Sequence, residues 1–204
     1  MELVFIIGPS AVGKMTVGRK LSEITQLDLL HNHQTIDLVV ETTGKYNFEL
    51  ISDLRQTIVA YYAVSNRDGL IITLRHNFEA LGSYHHIKRL IYTAMNNIGL
   101  RCGPKLKVHI VELYAPQEVR IERNKIQDRV KYKRTKEDVV ASKLELLQSE
   151  TTGTYNTNNV DELRNKLNIE NKIKGLEVTY TRIDNTATNP YDVACKLKEE
   201  LELH

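Results

Sequence analysis

The chain has 204 residues, of which 41% are hydrophobic and 26% charged, and its formal net charge is +2. This composition is that of a globular domain and excludes a disordered or fibrous chain, while the small net charge excludes a surface that is basic overall, as general binding to nucleic acid or membranes requires. The two cysteines, Cys102 and Cys195, form neither a disulfide framework nor a zinc-binding CxxC pair.

Five short runs of aliphatic and β-branched residues predict buried strands, at residues 1–7, 27–30, 70–74, 108–113 and 178–183. Helical periodicity lies between them, at residues 17–24, 48–64, 84–98 and 136–148. Asn189 and Pro190 predict the start of a last helix. This alternation predicts an α/β fold of three layers, in which a five-stranded parallel sheet carries helices on both faces.

The length suits one domain over residues 1–204. Segment 151–175 is polar and rich in asparagine, and we expect a surface insertion there with one short helix. The first apolar run is too short for a signal sequence, and no stretch approaches the roughly 20 apolar residues of a membrane span. We therefore expect a cytoplasmic monomer without a membrane partner.

A glycine-lysine motif, Gly8-x4-Gly13-Lys14, follows the first predicted strand and precedes a helical pattern. This context is typical of a phosphate-binding loop, because glycines let the backbone N–H groups point inward while the lysine and the helix N-terminus supply positive charge. The alternative is an ordinary turn with a solvated lysine. We predict that Lys14 acts in catalysis and that the following residues bind ATP: Gly8, Ser10, Ala11, Val12, Gly13, Lys14, Met15 and Thr16.

Met15 stands where a serine or threonine usually holds Mg²⁺. In this respect the loop resembles the nucleoside monophosphate kinase and shikimate kinase superfamily, whose adenylate kinases also place a non-hydroxyl residue there. The resemblance implies a P-loop NTPase fold and a small-molecule kinase that uses ATP and Mg²⁺. Since strand 70–74 carries no acidic residue, we expect the metal to be held mainly by nucleotide oxygens and water, with Thr16 and Asp37 assisting through water.

Shikimate kinases carry Asp-x-Asp-x-x-Ile-Glu after the second strand, where this chain has His31-Asn32-His33-Gln34-Thr35-Ile36-Asp37. The resemblance therefore implies the family's architecture with an acceptor other than shikimate. We predict that His31 and His33 bind the acceptor and that His33 acts as a base. Alternatively, both histidines fill polar positions at a strand end. A zinc site is the weaker hypothesis, because the histidines lack ligand spacing.

Residues 120–136 contain eight Lys and Arg against Glu122 and Asp128, so this window carries a net charge of +6. The resemblance implies a lid at about residues 117–136. Within it we predict Arg123 as the catalytic arginine, Arg120 as a nucleotide contact, and Arg129 and Arg134 as further lid arginines. The alternatives are a solvated basic helix or a nucleic-acid patch, and the chain has no RNA-binding aromatic signature in support of the latter.

Two further arginines, Arg55 and Arg75, are candidates for a carboxylate or phosphate on the acceptor, with surface ion pairs as the alternative. The resemblance implies that Asp184 and Asn185 belong to the loop that meets adenine, and the alternative is an ordinary strand-to-helix turn rich in Asn and Asp. The leading hypothesis is transfer of the γ-phosphate of ATP to a small-molecule acceptor. An ATP-dependent switch with slow hydrolysis is the second, and a nucleic-acid-binding protein is the third.

Overall fold

The computed structural model describes residues 1–98, 105–125, 155–169 and 175–204. Its sheet has five strands, β1 (Glu2–Gly8), β2 (Asp28–Leu30), β3 (Gly69–Arg75), β4 (Leu106–Tyr114) and β5 (Leu176–Asp184). All neighbouring strands are parallel, and their order across the sheet is β2-β3-β1-β4-β5. The predicted five-stranded parallel sheet is confirmed.

Seven helices lie in the described ranges: α1 (Lys14–Ile24), α2 (Asn32–Thr43), α3 (Phe48–Val64), α4 (Leu81–Ile98), α5 (Gln117–Lys125), α6 (Val160–Leu167) and α7 (Pro190–Glu200). None of these described helices has the length and apolar character needed to cross a bilayer. The last helix begins as predicted, because the side chain of Asn189 accepts a hydrogen bond from the backbone N–H of Tyr191 and Pro190 occupies the first turn. The helix predicted at residues 136–148 lies outside the described residues.

Each face of the sheet has its own apolar core, which gives the three layers. Alternate residues of β1 point to opposite faces, so Phe5 packs in the core beneath α3, α4 and α6, whereas Ile6 packs in the core beneath α1 and α7. Both faces are covered, which is why the central strands β1 and β3 are almost continuously apolar. The edge strand β5 differs, because polar and apolar residues alternate along its first half. The predicted helices on both faces are confirmed.

Helix α2 has no counterpart among the predicted elements. It begins at Asn32, immediately after β2, and its first turn is closed by Gln34, whose side chain accepts a hydrogen bond of 2.7 Å from the backbone N–H of His31. This pairing is half of the capping-box pattern, in which serine or threonine is the usual first residue. The histidine-rich segment is therefore a helix start and not an extended loop.

Some described residues of segment 151–175 are more deeply buried than its polar composition predicts. Of its described residues, those of α6 place Leu163 and Leu167 in the core below α3 and α4, with relative exposures of 0% and 1%. The two leucines are four residues apart and so share one face of the helix. The short predicted helix is present, but the insertion contributes to the core and is not confined to the surface.

Candidate active site

The carboxyl ends of the strands form the edge at which the candidate site lies. The chain leaves β1 toward β2 and β3 on one side, and β4 and β5 follow on the other, so β1 lies where the strand order reverses. In open α/β sheets, ligands bind in the crevice at such a point. Gly8 and Arg75 are paired at the ends of β1 and β3, so the phosphate loop and one predicted acceptor residue are neighbours.

The loop between β1 and α1 has the backbone of an anion cradle. Gly8, Ala11 and Gly13 all have positive φ angles, of 142°, 64° and 104°, and the left-handed conformation of Ala11 is uncommon for a residue with a side chain. A loop in which left-handed residues interrupt the other backbone conformations turns successive N–H groups toward one point. Helix α1 adds the positive end of its dipole, since its N-terminal cap has no side-chain hydrogen bond and its first turn has no acidic residue.

Lys14 folds back over this loop. Its ammonium group donates hydrogen bonds to the carbonyls of Gly8 at 2.9 Å and Pro9 at 2.6 Å. The charge is thereby held against the cradle, as a phosphate site requires. Met15 is half-buried behind it, and Thr16 is exposed in the first turn of α1.

Asn185 braces the loop from the other end of the chain. Its side-chain amide donates a hydrogen bond of 2.7 Å to the carbonyl of Val12, while its own N–H bonds to the carbonyl of Tyr114. A Cβ on Gly13 would lie 2.6 Å from this amide, so only glycine fits beside it. Asp184 turns the chain there by accepting bonds from the N–H and hydroxyl of Thr186, and these bonds lower its pKa.

Arg120 and Arg123 both reach the loop, but through its backbone. Arg120 has a relative exposure of 1%, and it donates to the carbonyl of Ala115 at 3.0 Å and toward that of Ser10 at 3.5 Å. Burial lowers its pKa. Arg123 donates to the carbonyls of Val12, Asn185 and Thr186. These contacts tie α5, the phosphate loop and the loop after β5 together.

The contacts of Arg123 differ from the predicted role of a lid arginine that acts on the migrating phosphoryl group. Its guanidinium is engaged with three carbonyls because α5 begins directly after β4 and packs against the phosphate loop. Arg129 and Arg134, predicted for the same lid, lie outside the described residues, so only the first half of the predicted lid is seen as α5.

A pocket of about 520 Å³ opens at the end of β3, among helices α2, α3 and α4. Arg75 in its lining is paired with Gly8, so the pocket adjoins the start of the phosphate loop. Arg55 and Arg75 both line it, as predicted for an acceptor site, and Asn32, His76 and Tyr155 lie around them. None of the described lining residues is an aspartate or a glutamate. The pocket is therefore basic.

Arg55 is 4% exposed and bonds only to neutral groups. It donates to the hydroxyl of Thr35 at 2.9 Å, to the side-chain oxygen of Asn32 at 2.8 Å and to the imidazole of His86 at 3.1 Å. No ion pair joins it to a carboxylate in the described part of the chain. Burial lowers the pKa of Arg55 to about 10, so the guanidinium remains charged at neutral pH. A buried cation without an anion is costly, and an anionic ligand would compensate it.

Arg75 is exposed at the end of β3 and is oriented by an aromatic ring. Its guanidinium lies 4.7 Å from the centre of the Tyr155 ring and donates to the Tyr155 hydroxyl. Cation–π stacking of this kind restricts a long side chain. The two arginines thus present one buried and one exposed guanidinium to the same pocket.

His31 and His33 are not brought into the pocket. Among the described residues, its lining includes Asn32 and Ile36 from this segment, because residues four apart share one face of a helix and α2 starts at Asn32. His33 is exposed, and burial and the charges of Arg19 and His33 lower the pKa of His31, against the effect of Asp37. The predicted contact of His33 with the acceptor is not supported by this geometry.

Comparison with known proteins rests on structure alone, since no protein-family model and no curated protein matches the sequence. A shikimate kinase from Bacteroides thetaiotaomicron is similar with a TM-score of 0.53 and 13% identity, over 98% of each chain. A sugar kinase from Janibacter sp. has a TM-score of 0.52 and 15% identity, over 100% of this chain and 95% of the other. The fold is that of the small P-loop kinases.

A third P-loop kinase, the shikimate kinase from Acinetobacter baumannii in complex with shikimate, has a TM-score of 0.50 and 17% identity over 98% of this chain and 93% of the other. At these sequence identities the structural similarity establishes the fold, but not the activity or the acceptor. The P-loop kinase fold is consistent with the site geometry, since the cradle follows β1 at the reversal of strand order.

The described residues offer few candidate ligands for a metal ion. The described residues hold no cluster of three His, Cys, Asp or Glu side chains, and the hydroxyl of Thr73 on β3 accepts the N–H of Asn32. Thr16 is exposed at the start of α1, and Asp37 is half-buried near His31. Each of the two carries an oxygen atom of the kind that binds Mg²⁺, directly or through water.

Several residues of the site escaped the sequence analysis. His86 and Tyr155 reach the pocket from α4 and from the segment before α6, and nothing in their local sequence indicates it. His76 also lines the pocket, and burial lowers its pKa to about 4. One local signal is present in the sequence: Glu112 lies in the apolar run at the end of the fourth predicted strand, and a buried carboxylate needs specific partners.

Proposed function

We propose that the chain is an ATP-dependent phosphotransferase that moves the γ-phosphate of ATP to a hydroxyl of a small anionic acceptor. The observation that carries the proposal is the buried, charged Arg55 in a pocket whose described lining has no carboxylate and adjoins the phosphate loop. The cradle suits a polyphosphate, and the basic pocket suits a second anion. Their adjacency on one sheet edge is what transfer between two bound ligands requires.

The acceptor belongs to the class of small hydroxylated carboxylates or phosphate esters. Arg55 and Arg75 supply two guanidiniums, which bind the paired oxygens of carboxylate and phosphate. Since His86 accepts from Arg55, its ring is neutral and repels no anion. A cationic acceptor is disfavoured, because the described lining offers it no carboxylate.

In the reaction, Lys14 and the N–H groups of the cradle stabilise charge on the phosphate oxygens, while Arg55 and Arg75 orient the acceptor hydroxyl toward the γ-phosphate. Mg²⁺ bound to ATP supplies further neutralisation of the phosphate charge. The transition state of phosphoryl transfer is loose and places little demand on a base. A pocket whose described lining has no carboxylate is compatible with that chemistry. We propose that the protein works as a cytoplasmic monomer.

An acceptor screen monitored by ADP release tests the proposal. The panel contains sugar acids, cyclic hydroxy acids and sugar phosphates, each matched with an uncharged and an amino analogue. We expect ADP release with Mg²⁺ to rise at least about tenfold over the rate without acceptor for one anionic class, and not for its analogues. Stimulation by the amino analogues alone would contradict the assignment of an anionic acceptor to the basic pocket.

An ATP-dependent switch with slow hydrolysis is the second candidate. It is favoured by Met15 and by the acid-free β3, which leave Mg²⁺ with few protein ligands. A switch would bind ATP with micromolar affinity, hydrolyse it slowly and respond to no acceptor in the panel. The same screen therefore separates the two functions.

A further inference from the structure

Residues 155–159, here called the crossing segment, run from the end of β3 to β4 and lead into α6. Tyr155 lies against Arg75 at the end of β3, and Thr157 contacts Glu112 on β4. Since β1 lies between these two strands, the segment passes across the carboxyl end of the strand that carries the phosphate loop.

Glu112 holds this segment through several hydrogen bonds. Its side chain is fully buried, and its Oε1 accepts from the side-chain amide of Asn156 at 2.8 Å and from the backbone N–H of Thr157 at 2.7 Å. Its Oε2 accepts from the hydroxyl of Thr157, and Nε of Arg182 lies 3.6 Å away. Charge-assisted bonds of this kind are about twice as strong as neutral ones.

A second contact ties the crossing segment to the wall of the phosphate loop. The amide of Asn156 also donates to the carbonyl of Leu113 at 3.3 Å. The same carbonyl backs Gly8, where an added Cβ would lie 2.6 Å from it. The crossing segment is thus hydrogen-bonded to β4 at the point where β4 packs against the start of the phosphate loop.

We propose that Glu112 is a positioning residue, which fixes the crossing segment so that Tyr155 holds Arg75 ready for the acceptor. The inference rests on the proposed function, because it takes the basic pocket to be the acceptor site. An unrestrained arginine loses rotamer freedom when it binds an anion. The ring of Tyr155 already restricts Arg75, so less rotamer freedom is lost when the acceptor binds. Glu112 should therefore affect the affinity for the acceptor and leave the affinity for ATP unchanged.

Kinetics of Glu112→Gln and Tyr155→Ala, with the most active acceptor of the panel, test the role. Each variant should raise the acceptor KM about three- to tenfold, the cost of ordering one long side chain, and change the ATP KM less than about twofold. The double variant should be no worse than Tyr155→Ala, because both changes release the same arginine. Additive effects, or an equal rise in the ATP KM, would overturn the proposal.

The control is Glu177→Gln on β5, which removes a carboxylate from an exposed pair with Lys105 and should leave both KM values unchanged. Because a buried glutamate can be needed for folding, Thr157→Val gives a milder test: it removes the hydroxyl donor and should raise the acceptor KM in the same direction. An acceptor KM for Thr157→Val equal to that of the wild type would count against the proposal.

Hydrogen exchange of the full-length chain tests the anchor without any acceptor. The amide of Thr157 donates to Glu112, so Glu112→Gln should speed its exchange at least about tenfold, whereas Glu177→Gln should not. Unchanged exchange would refute the anchor whether or not the protein is a kinase. A wild type that turns over no acceptor would instead refute the proposed function, and the assigned role with it.

Discussion

His86 accepts a hydrogen bond from Arg55, with 3.1 Å between its Nε2 and the guanidinium nitrogen. A guanidinium has donors only, so Nε2 must carry the lone pair and the ring proton must lie on Nδ1. Nδ1 is 3.3 Å from the hydroxyl of Ser52, which can accept that proton. The buried network therefore requires a neutral histidine.

Stability should fall as the pH drops from about 6.5 toward 4. Burial, together with the charges of Arg55 and Arg89, lowers the pKa of His86 from 6.5 to about 4. Between these values the unfolded chain binds a proton that the folded chain does not, so lower pH favours unfolding. The loss in free energy of unfolding that His86 can cause is at most about 3 kcal/mol. The thermal midpoint, followed by circular dichroism, should therefore fall by several degrees.

The contribution of His86 is isolated by comparison with its neighbour. His86→Gln keeps a hydrogen-bonding side chain but cannot titrate, so its midpoint should depend less steeply on pH in this window. His85→Gln changes an exposed histidine beside it and should retain the slope of the wild type. Part of the slope should survive in His86→Gln, because burial also lowers the pKa of His76 to about 4. Equal slopes in all three proteins would contradict the assignment.

Lys14→Ala should abolish most phosphoryl transfer without unfolding the chain. Lys14 bonds to the carbonyls of Gly8 and Pro9, and its charge is aimed at phosphate oxygens. We expect kcat/KM for ATP to fall about 10²-fold or more in the ADP-release assay. Lys20→Ala, on the exposed side of the same helix and paired with Glu23, should have no such effect. Normal activity of a folded Lys14→Ala protein would refute the cradle.

Arg55→Met should weaken acceptor binding and leave ATP binding intact. The change keeps an unbranched side chain of similar length but removes the cation from the basic pocket. Loss of a charge-assisted bond corresponds to about a 10- to 100-fold rise in the acceptor KM. Arg89→Met, on the exposed face of the adjacent α4, is the matched control. A comparable rise in the ATP KM would show that Arg55 serves the fold and not the acceptor.

Arg123→Lys distinguishes two roles for that arginine. A lysine keeps the charge but cannot bridge the carbonyls of Val12, Asn185 and Thr186. If Arg123 positions these loops, the ATP KM should rise about tenfold. A fall in kcat with an unchanged ATP KM would instead support the lid role predicted from the sequence. Arg164→Lys, in an exposed pair with Asp161, is the control.

The features that the sequence predicts best are those formed by residues that lie close together along the chain. Gly8, Gly13 and Lys14 lie within seven residues, and their spacing between a strand and a helix is enough to identify the cradle. The sheet follows from runs of apolar residues, because strands buried on both faces cannot tolerate polar alternation. Helix α2 was missed because its start is capped through Gln34 after a histidine, which is not a usual cap residue.

The acceptor pocket could not be predicted to the same depth, since its contacts join distant residues. Arg55 meets His86 across 31 residues, and Glu112 meets Thr157 across 45. Such pairs depend on how helices and strands pack, and no local pattern encodes them. The sequence nevertheless predicts Arg55 and Arg75, because one lies on a predicted helix and the other ends a predicted strand, where the resemblance to small-molecule kinases implies contacts with an anionic acceptor.

The brace between Asn185 and Val12 spans 173 residues, and this separation bears on how the protein is made. A chain emerging from the ribosome exposes its phosphate loop early but lacks β5 and the loop after it until late in synthesis. During that interval the carbonyl of Val12 has no amide donor from Asn185, and Arg123 has no carbonyl of Thr186 to hold. The proposed nucleotide site is therefore fully braced only after β5 has been added, so a bound nucleotide would stabilise the finished domain and not the early folding stages.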